Sequence, residues 1–128
     1  MLYADDVKQL RELMTTILKR DGHQAETVSD GMDALARLER PDPAYDLLIT
    51  DHHMPRLNGL ALVRRARALP FRGKIIVFSS ELSPQVQEDY RGLQVDVVLA
   101  KPVFPAAFRR LLRELFPAHY ADHAAPAD

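Results

Sequence analysis

The chain has 128 residues, a length that suits one domain around one core. Apolar residues make up 47% and charged residues 27%, and a formal net charge of −1 gives no general attraction to nucleic acid or to an anionic membrane. The absence of cysteine excludes disulfides, thiolate metal sites and a thiol nucleophile, and no apolar run approaches the ~18 residues that span a bilayer.

Taken in order, two periods alternate. Met1, Leu2, Tyr3 and Ala4 are the only residues available for a first strand before Asp5 and Asp6. Val7, Leu10, Leu13, Met14, Ile17 and Leu18 then recur at helical spacing, and Gly22 supplies a stop. "HQAETVSD" predicts a short, polar strand. "GMDALARLER" predicts a helix with Ala34, Leu35 and Leu38 on one side, ended by Pro41 and Pro43. "DLLIT" is a continuous apolar run that stops on Asp51 and is followed by turn residues including Pro55, Asn58 and Gly59.

"GLALVRRARAL" predicts a third helix that stops near Pro70, with Arg64, Arg65 and Arg67 on a solvated side. "KIIVFSS" is a second apolar, β-branched run. Ser83 is placed to cap a fourth helix with Pro84 at its first position. "VDVVLA" predicts the last strand. Phe104, Phe108, Leu111, Leu112 and Leu115 form the apolar stripe of a last helix, which Pro117 ends. These elements make one domain over residues 1–117, and the tail 118–128, without a core-forming pattern, is expected to be disordered.

Strict β-α alternation implies an α/β fold with a parallel sheet and helices on both faces. The apolar third and fourth strands fit positions buried on both sides, and the polar second strand fits an edge. The order 2-1-3-4-5 satisfies this, with about five helices. Ligands then bind beyond the carboxyl ends of the strands. Those ends carry Asp5 and Asp6, Asp51, Ser79 and Ser80, and Lys101 followed by Pro102. Each alone has an ordinary explanation: helix capping for Asp5 and Asp6, an Asx turn for Asp51, a solvated edge for Lys101. Four strand ends meeting on one rim reverse that preference.

The pattern resembles the receiver domain of bacterial response regulators. The resemblance rests on "DD" at 5–6, "VSDGMDAL" at 28–35, "DHHMPRLNG" at 51–59, "SS" at 79–80 and "KP" at 101–102, and covers roughly residues 1–116. It implies a flavodoxin-like three-layer sandwich and a phospho-accepting signalling switch, not an enzyme with an external substrate. Asp51 would be the phosphoryl acceptor. Asp6 and Asp51 would bind Mg²⁺ directly, Asp5 largely through water, and the backbone carbonyl of His53 would be a further ligand. Ser79 would hydrogen-bond the phosphoryl group and Lys101 would pair with it across a cis bond to Pro102. The donor would be a phosphohistidine on a sensor histidine kinase or a phosphotransfer protein, in the cytoplasm. Arg109, Arg110 and Arg113 lie on the last helix, a common partner surface in the family. No nucleic-acid or membrane partner is expected. The resemblance leaves open a stand-alone receiver or one cut from a longer chain.

Three departures stand out. Val98 occupies the position, three before the lysine, where many receivers carry a switching aromatic residue. Ser80 replaces what is most often alanine. His53 and Glu81 sit where the family tunes the lifetime of the phosphoryl group, and they are expected to approach each other over the site. His52 and His53 suggest a metal pair at first sight. Adjacent strand-end residues are expected to point apart, however, and no third His or Cys lies nearby in sequence. The alternatives are a phosphorylation-independent docking module and an aspartate-nucleophile phosphatase. The latter needs a second Asp where His53 stands.

Overall fold

The computed structural model describes residues 1–40, 45–81 and 83–122. Five strands, β1 (Leu2–Ala4), β2 (Glu26–Val28), β3 (Leu47–Asp51), β4 (Lys74–Ser79) and β5 (Val97–Ala100), pair in parallel in the order β2-β1-β3-β4-β5. Between and after them run α1 (Lys8–Arg20), α2 (Gly31–Leu38), α3 (Gly59–Ala68), α4 (Pro84–Arg91), α5 (Pro105–Leu115) and α6 (Pro117–Asp122). The fold class and strand order are those expected, with one helix more.

The period of two along each strand divides the core into two halves. On one face Leu2, Ala4, Leu48, Ile75 and Val77 meet Ala34 and Leu35 of α2, Leu62, Val63 and Ala66 of α3, and Tyr90 of α4. On the other Met1, Tyr3, Leu47, Ile49, Ile76 and Phe78 meet Met14, Ile17 and Leu18 of α1 and Phe108 and Leu112 of α5. Asp30, Asn58 and Ser83 cap α2, α3 and α4 by accepting from the backbone N–H groups of Asp33, Ala61 and Val86. Gly22, at φ 83°, ends α1 as its position predicts. α2 ends at Leu38, and the stops expected from Pro41 and Pro43 lie outside the described residues.

Two expectations at the C-terminus are corrected. The tail is not disordered from residue 118 on: Pro117 opens α6, because proline at a first helical position loses no hydrogen bond. Residues 123–128 lie outside the described set. α6 is held to the end of α1. The Tyr120 hydroxyl donates to Asp21 Oδ2 at 2.9 Å, His119 Nε2 lies 2.7 Å from the Asp21 carbonyl oxygen, and the His119 ring stacks on His23 at 4.0 Å.

Arg109 is likewise not a surface contact residue. It is buried, and its guanidinium donates to both Asp21 carboxylate oxygens at 3.0 and 3.3 Å. Arg110 is exposed, and the Arg113 guanidinium lies 5.8 Å from the Tyr120 ring centre. Arg67, expected on a solvated side, instead donates to the carbonyls of Leu93 and Gln94 at 3.1 and 2.8 Å.

The Asp21 cluster predicts an acid-sensitive fold. Burial, reinforced by His119, pushes the His23 imidazole down to about 4. The unfolded chain, with an ordinary imidazole, therefore binds a proton that the native chain refuses between about pH 6.5 and 4. Stability should fall by about 3 kcal/mol as pH drops through that window. Burial pushes the Asp21 carboxyl up, but hydrogen bonds from Arg109 and Tyr120 outweigh it and hold it low, so its contribution is lost only at more acid pH. Urea midpoints at pH 7 and 4.5 check this: His23→Gln should flatten the difference, and an equal slope in wild type and variant contradicts it.

Candidate functional site

The carboxyl ends of β1, β3, β4 and β5 share one rim, and the polar residues named from sequence gather there. Asp5, just beyond β1, is fully buried. Its Oδ2 accepts from the Tyr3 hydroxyl at 2.5 Å and its Oδ1 from the Val7 backbone N–H at 2.9 Å. Neither Asp5 nor Asp6 caps α1, whose N-cap is Val7 with no side-chain cap bond. Asp6 is exposed.

Asp51 closes β3. Its Oδ1 accepts from the His52 backbone N–H at 3.0 Å and faces Lys101 Nζ, also at 3.0 Å. Lys101 Nζ lies 3.8 Å from Asp5 Oδ2, and the bond from Lys101 to Pro102 is cis. Carboxylate oxygens of Asp5, Asp6 and Asp51 all fall within 4.8 Å of one another.

These charges are not balanced locally. Burial pushes the Asp51 carboxyl up; the Lys101 hydrogen bond opposes that, and repulsion from Asp5 adds to it. Burial and the bond to Asp5 also push the Tyr3 hydroxyl up, so it stays a donor. Three carboxylates in this space are hard oxygen ligands. Their spread is comparable with the ~4.2 Å between opposite ligands of a Mg²⁺ octahedron, so the donor set fits that ion.

The other expected residues are placed as follows. Ser79 ends β4 and is buried; its hydroxyl donates to the Glu81 carbonyl at 2.7 Å and accepts from the Glu81 N–H at 2.9 Å. Ser80 is exposed. Val98 is half-buried and packs against the core cluster that contains Tyr90. His53 does approach Glu81, with Nε2 at 3.6 Å from Oε2.

The divergence expected of His52 and His53 is overturned. His52 Nε2 also reaches Glu81 Oε2, at 3.5 Å. β3 ends at Asp51 and the next two residues form a bend, so strand alternation no longer separates their side chains.

Sequence reasoning does not single out Tyr3 or Tyr90, and it considers His52 only as half of a metal pair with His53. Tyr3 orients Asp5, and its place two residues earlier on the same strand face was a usable signal. His52 is buried, with Nδ1 2.5 Å from the Tyr90 hydroxyl; burial, then His53, holds its imidazole below the ordinary value. Tyr90 comes from α4, 38 residues away, and nothing local announces it. The approach of α3 to this corner needs Gly59. A Cβ there would lie 2.4 Å from the Asp51 carbonyl oxygen and 2.9 Å from the Tyr90 hydroxyl.

Comparison with known proteins agrees with this geometry. Residues 1–113 match the family model described as the response regulator receiver domain. The sensory/regulatory protein RpfC of Xanthomonas campestris is 29% identical over 90% of this chain, which spans only 16% of that protein. The sensor histidine kinase AruS of Pseudomonas aeruginosa is 32% identical over 90% of the chain and 12% of its own length. The response regulator MprA of Mycobacterium leprae is 34% identical over 98% of the chain and 56% of its own length. The chain thus spans about a sixth or less of the first two and over half of the third.

Among solved structures, the chemotaxis protein CheY4 of Vibrio cholerae superposes with a TM-score of 0.81, at 26% identity over 89% of this chain and 95% of that one. The receiver domain of the sensor histidine kinase PA1611 of Pseudomonas aeruginosa gives a TM-score of 0.79, at 25% identity over 91% and 95%. That domain is described with a magnesium ion coordinated in its active-site cleft. No helix among the described residues is long and apolar enough to cross a membrane.

The electrostatic imbalance predicts a stabilising substitution. Asp51 is disfavoured in its ionised form by the fold, so at neutral pH its charge costs stability. In metal-free buffer Asp51→Asn should raise the melting temperature by roughly 2–6 °C. A lower melting temperature for the variant contradicts the imbalance.

Proposed function

The chain belongs to the response regulator receiver domain family, and from that premise we propose that it is a phospho-accepting switch of a two-component phosphorelay, with Asp51 as the acceptor. The observation that carries this reading is the Asp51 carboxylate at the end of β3, 3.0 Å from the Lys101 ammonium and clustered with Asp5 and Asp6. In the transfer, an Asp51 carboxylate oxygen bonds to phosphorus as the bond from phosphorus to the donor imidazole nitrogen breaks. Lys101 offsets charge on the phosphoryl oxygens as a mobile ammonium.

Asp6 and Asp51, with the His53 backbone carbonyl and Asp5 through water, would hold Mg²⁺. When bound, the ion supplies the remaining charge neutralisation and orients the phosphoryl group. The donor is a phosphohistidine on a sensor histidine kinase or phosphotransfer protein. The names of relatives such as AruS support a kinase partner. The setting is cytoplasmic.

Ser79 would reach the phosphoryl group only by leaving the Glu81 carbonyl, so acceptance at Asp51 is coupled to the turn after β4. With Val98 in place of an aromatic residue, that turn is the nearest candidate for readout. His53 and Glu81, paired at 3.6 Å, set the lifetime of the acyl phosphate. The chain catalyses only its own phosphorylation and dephosphorylation. The phosphatase reading lacks its acid, since His53 stands where the second Asp would act.

Intact mass after incubation with acetyl phosphate and Mg²⁺ tests the reading. Wild type should gain one phosphoryl group and Asp51→Asn none, while Lys101→Ala should load on the order of 10²–10³-fold more slowly. The acyl phosphate in His53→Ala and Glu81→Ala should decay at a changed rate. Equal labelling of Asp51→Asn, or steady release of phosphate without a labelled chain, contradicts the proposal.

A further inference from the structure

Beside the acidic cluster, a second set of ligating atoms converges on the same rim. One ring nitrogen of His52, one of His53 and a carboxylate oxygen of Glu81 lie within 4.8 Å of one another. The two imidazole nitrogens are 3.5 and 3.6 Å from the shared carboxylate oxygen. In a tetrahedral zinc site with bonds of ~2.0–2.2 Å, the edges between ligand atoms are about 3.3–3.6 Å. Two edges of such a tetrahedron are therefore already in place.

The surroundings are those of a ligand set and not only of an ion pair. His52 is buried, and its other ring nitrogen is tied to the Tyr90 hydroxyl at 2.5 Å. That contact fixes the ring and leaves Nε2 directed at Glu81, the outer bond that metal-bound histidines commonly make. Tyr90 is itself fully buried, so the support is enclosed by the core. His53 and Glu81 are exposed, which leaves an entry path and room for a fourth, water ligand. Two imidazoles and one carboxylate favour a borderline divalent ion over Mg²⁺, whose hard-oxygen preference is met by the aspartates.

We propose that His52, His53 and Glu81 form a binding site for a divalent transition metal of the zinc class, distinct in its ligands from the aspartate cluster. The site joins the bend after β3 to the turn after β4. Because the backbone of Glu81 holds the Ser79 hydroxyl, an ion there fastens that turn to the acceptor strand. Binding of the ion does not depend on Asp51 accepting a phosphoryl group.

Equilibrium dialysis of the tag-free full chain against Zn²⁺, with Mg²⁺ in large excess, tests the site, and Co²⁺ serves as an optical probe. One Zn²⁺ per chain is expected, and Co²⁺ should show the intense visible absorption of tetrahedral coordination. His53→Ala and Glu81→Gln, both at exposed positions, should each weaken binding at least tenfold. Tyr90→Phe should weaken it by about 10-fold or more through its hold on His52. Failure to retain Zn²⁺ overturns the proposal. So does wild-type affinity in both His53→Ala and Glu81→Gln, or loss of Zn²⁺ in Asp6→Asn with retention in His53→Ala. None of these outcomes bears on phosphoryl transfer to Asp51, which the mass experiment reads separately.

Discussion

Two carboxylates, Asp5 and Asp51, are buried beside a single ammonium, Lys101, with a third carboxylate, Asp6, at the surface next to them. Removing like charges from water is costly unless each finds partners. The chain supplies them one by one: Tyr3 and the Val7 amide to Asp5, the His52 amide and Lys101 to Asp51. Negative charge is still left over. That residue of charge is what a hard cation would offset under the proposed function.

The sheet order determines which side chains can take part. β1 and β3 are neighbours, so their terminal aspartates are one strand spacing apart. β5 is separated from β3 by β4, roughly 10 Å at the backbone. Only a long cationic side chain covers that span, and Lys101 does so over the end of β4, where Ser79 lies. The same corner is closed from the other side by Tyr90 of α4, which reaches His52 because Gly59 leaves it space. β3, α4 and the turn carrying Glu81 are thus linked through polar contacts, in a chain whose β5 offers Val98 instead of an aromatic ring.

Much of this was legible in sequence because strand ends and apolar runs are local signals. "DLLIT" announces a doubly buried strand and its final carboxylate, and β-α alternation brings Asp5, Asp6, Asp51, Ser79 and Lys101 to one rim without any knowledge of contacts. Where the reading went astray, the cause was either an interaction across long sequence distance or a local rule carried past its range. Arg109 looks like a solvated helix residue until Asp21, 88 positions away, takes its guanidinium. Pro117 reads as a stop, yet proline also starts helices, and the partners that settle α6 are Asp21 and His23 near the other end of the chain. His52 and His53 were expected to diverge by strand alternation, which had ended one residue earlier.

The response of the melting temperature to Mg²⁺ probes the charge imbalance most directly, because an ion that binds only the native state must stabilise it. Melting temperature should climb with the logarithm of Mg²⁺ concentration in wild type and stay nearly flat in the double variant Asp6→Asn with Asp51→Asn. A flat response in wild type, or the same climb in both proteins, would contradict a metal-receptive cluster at the strand ends.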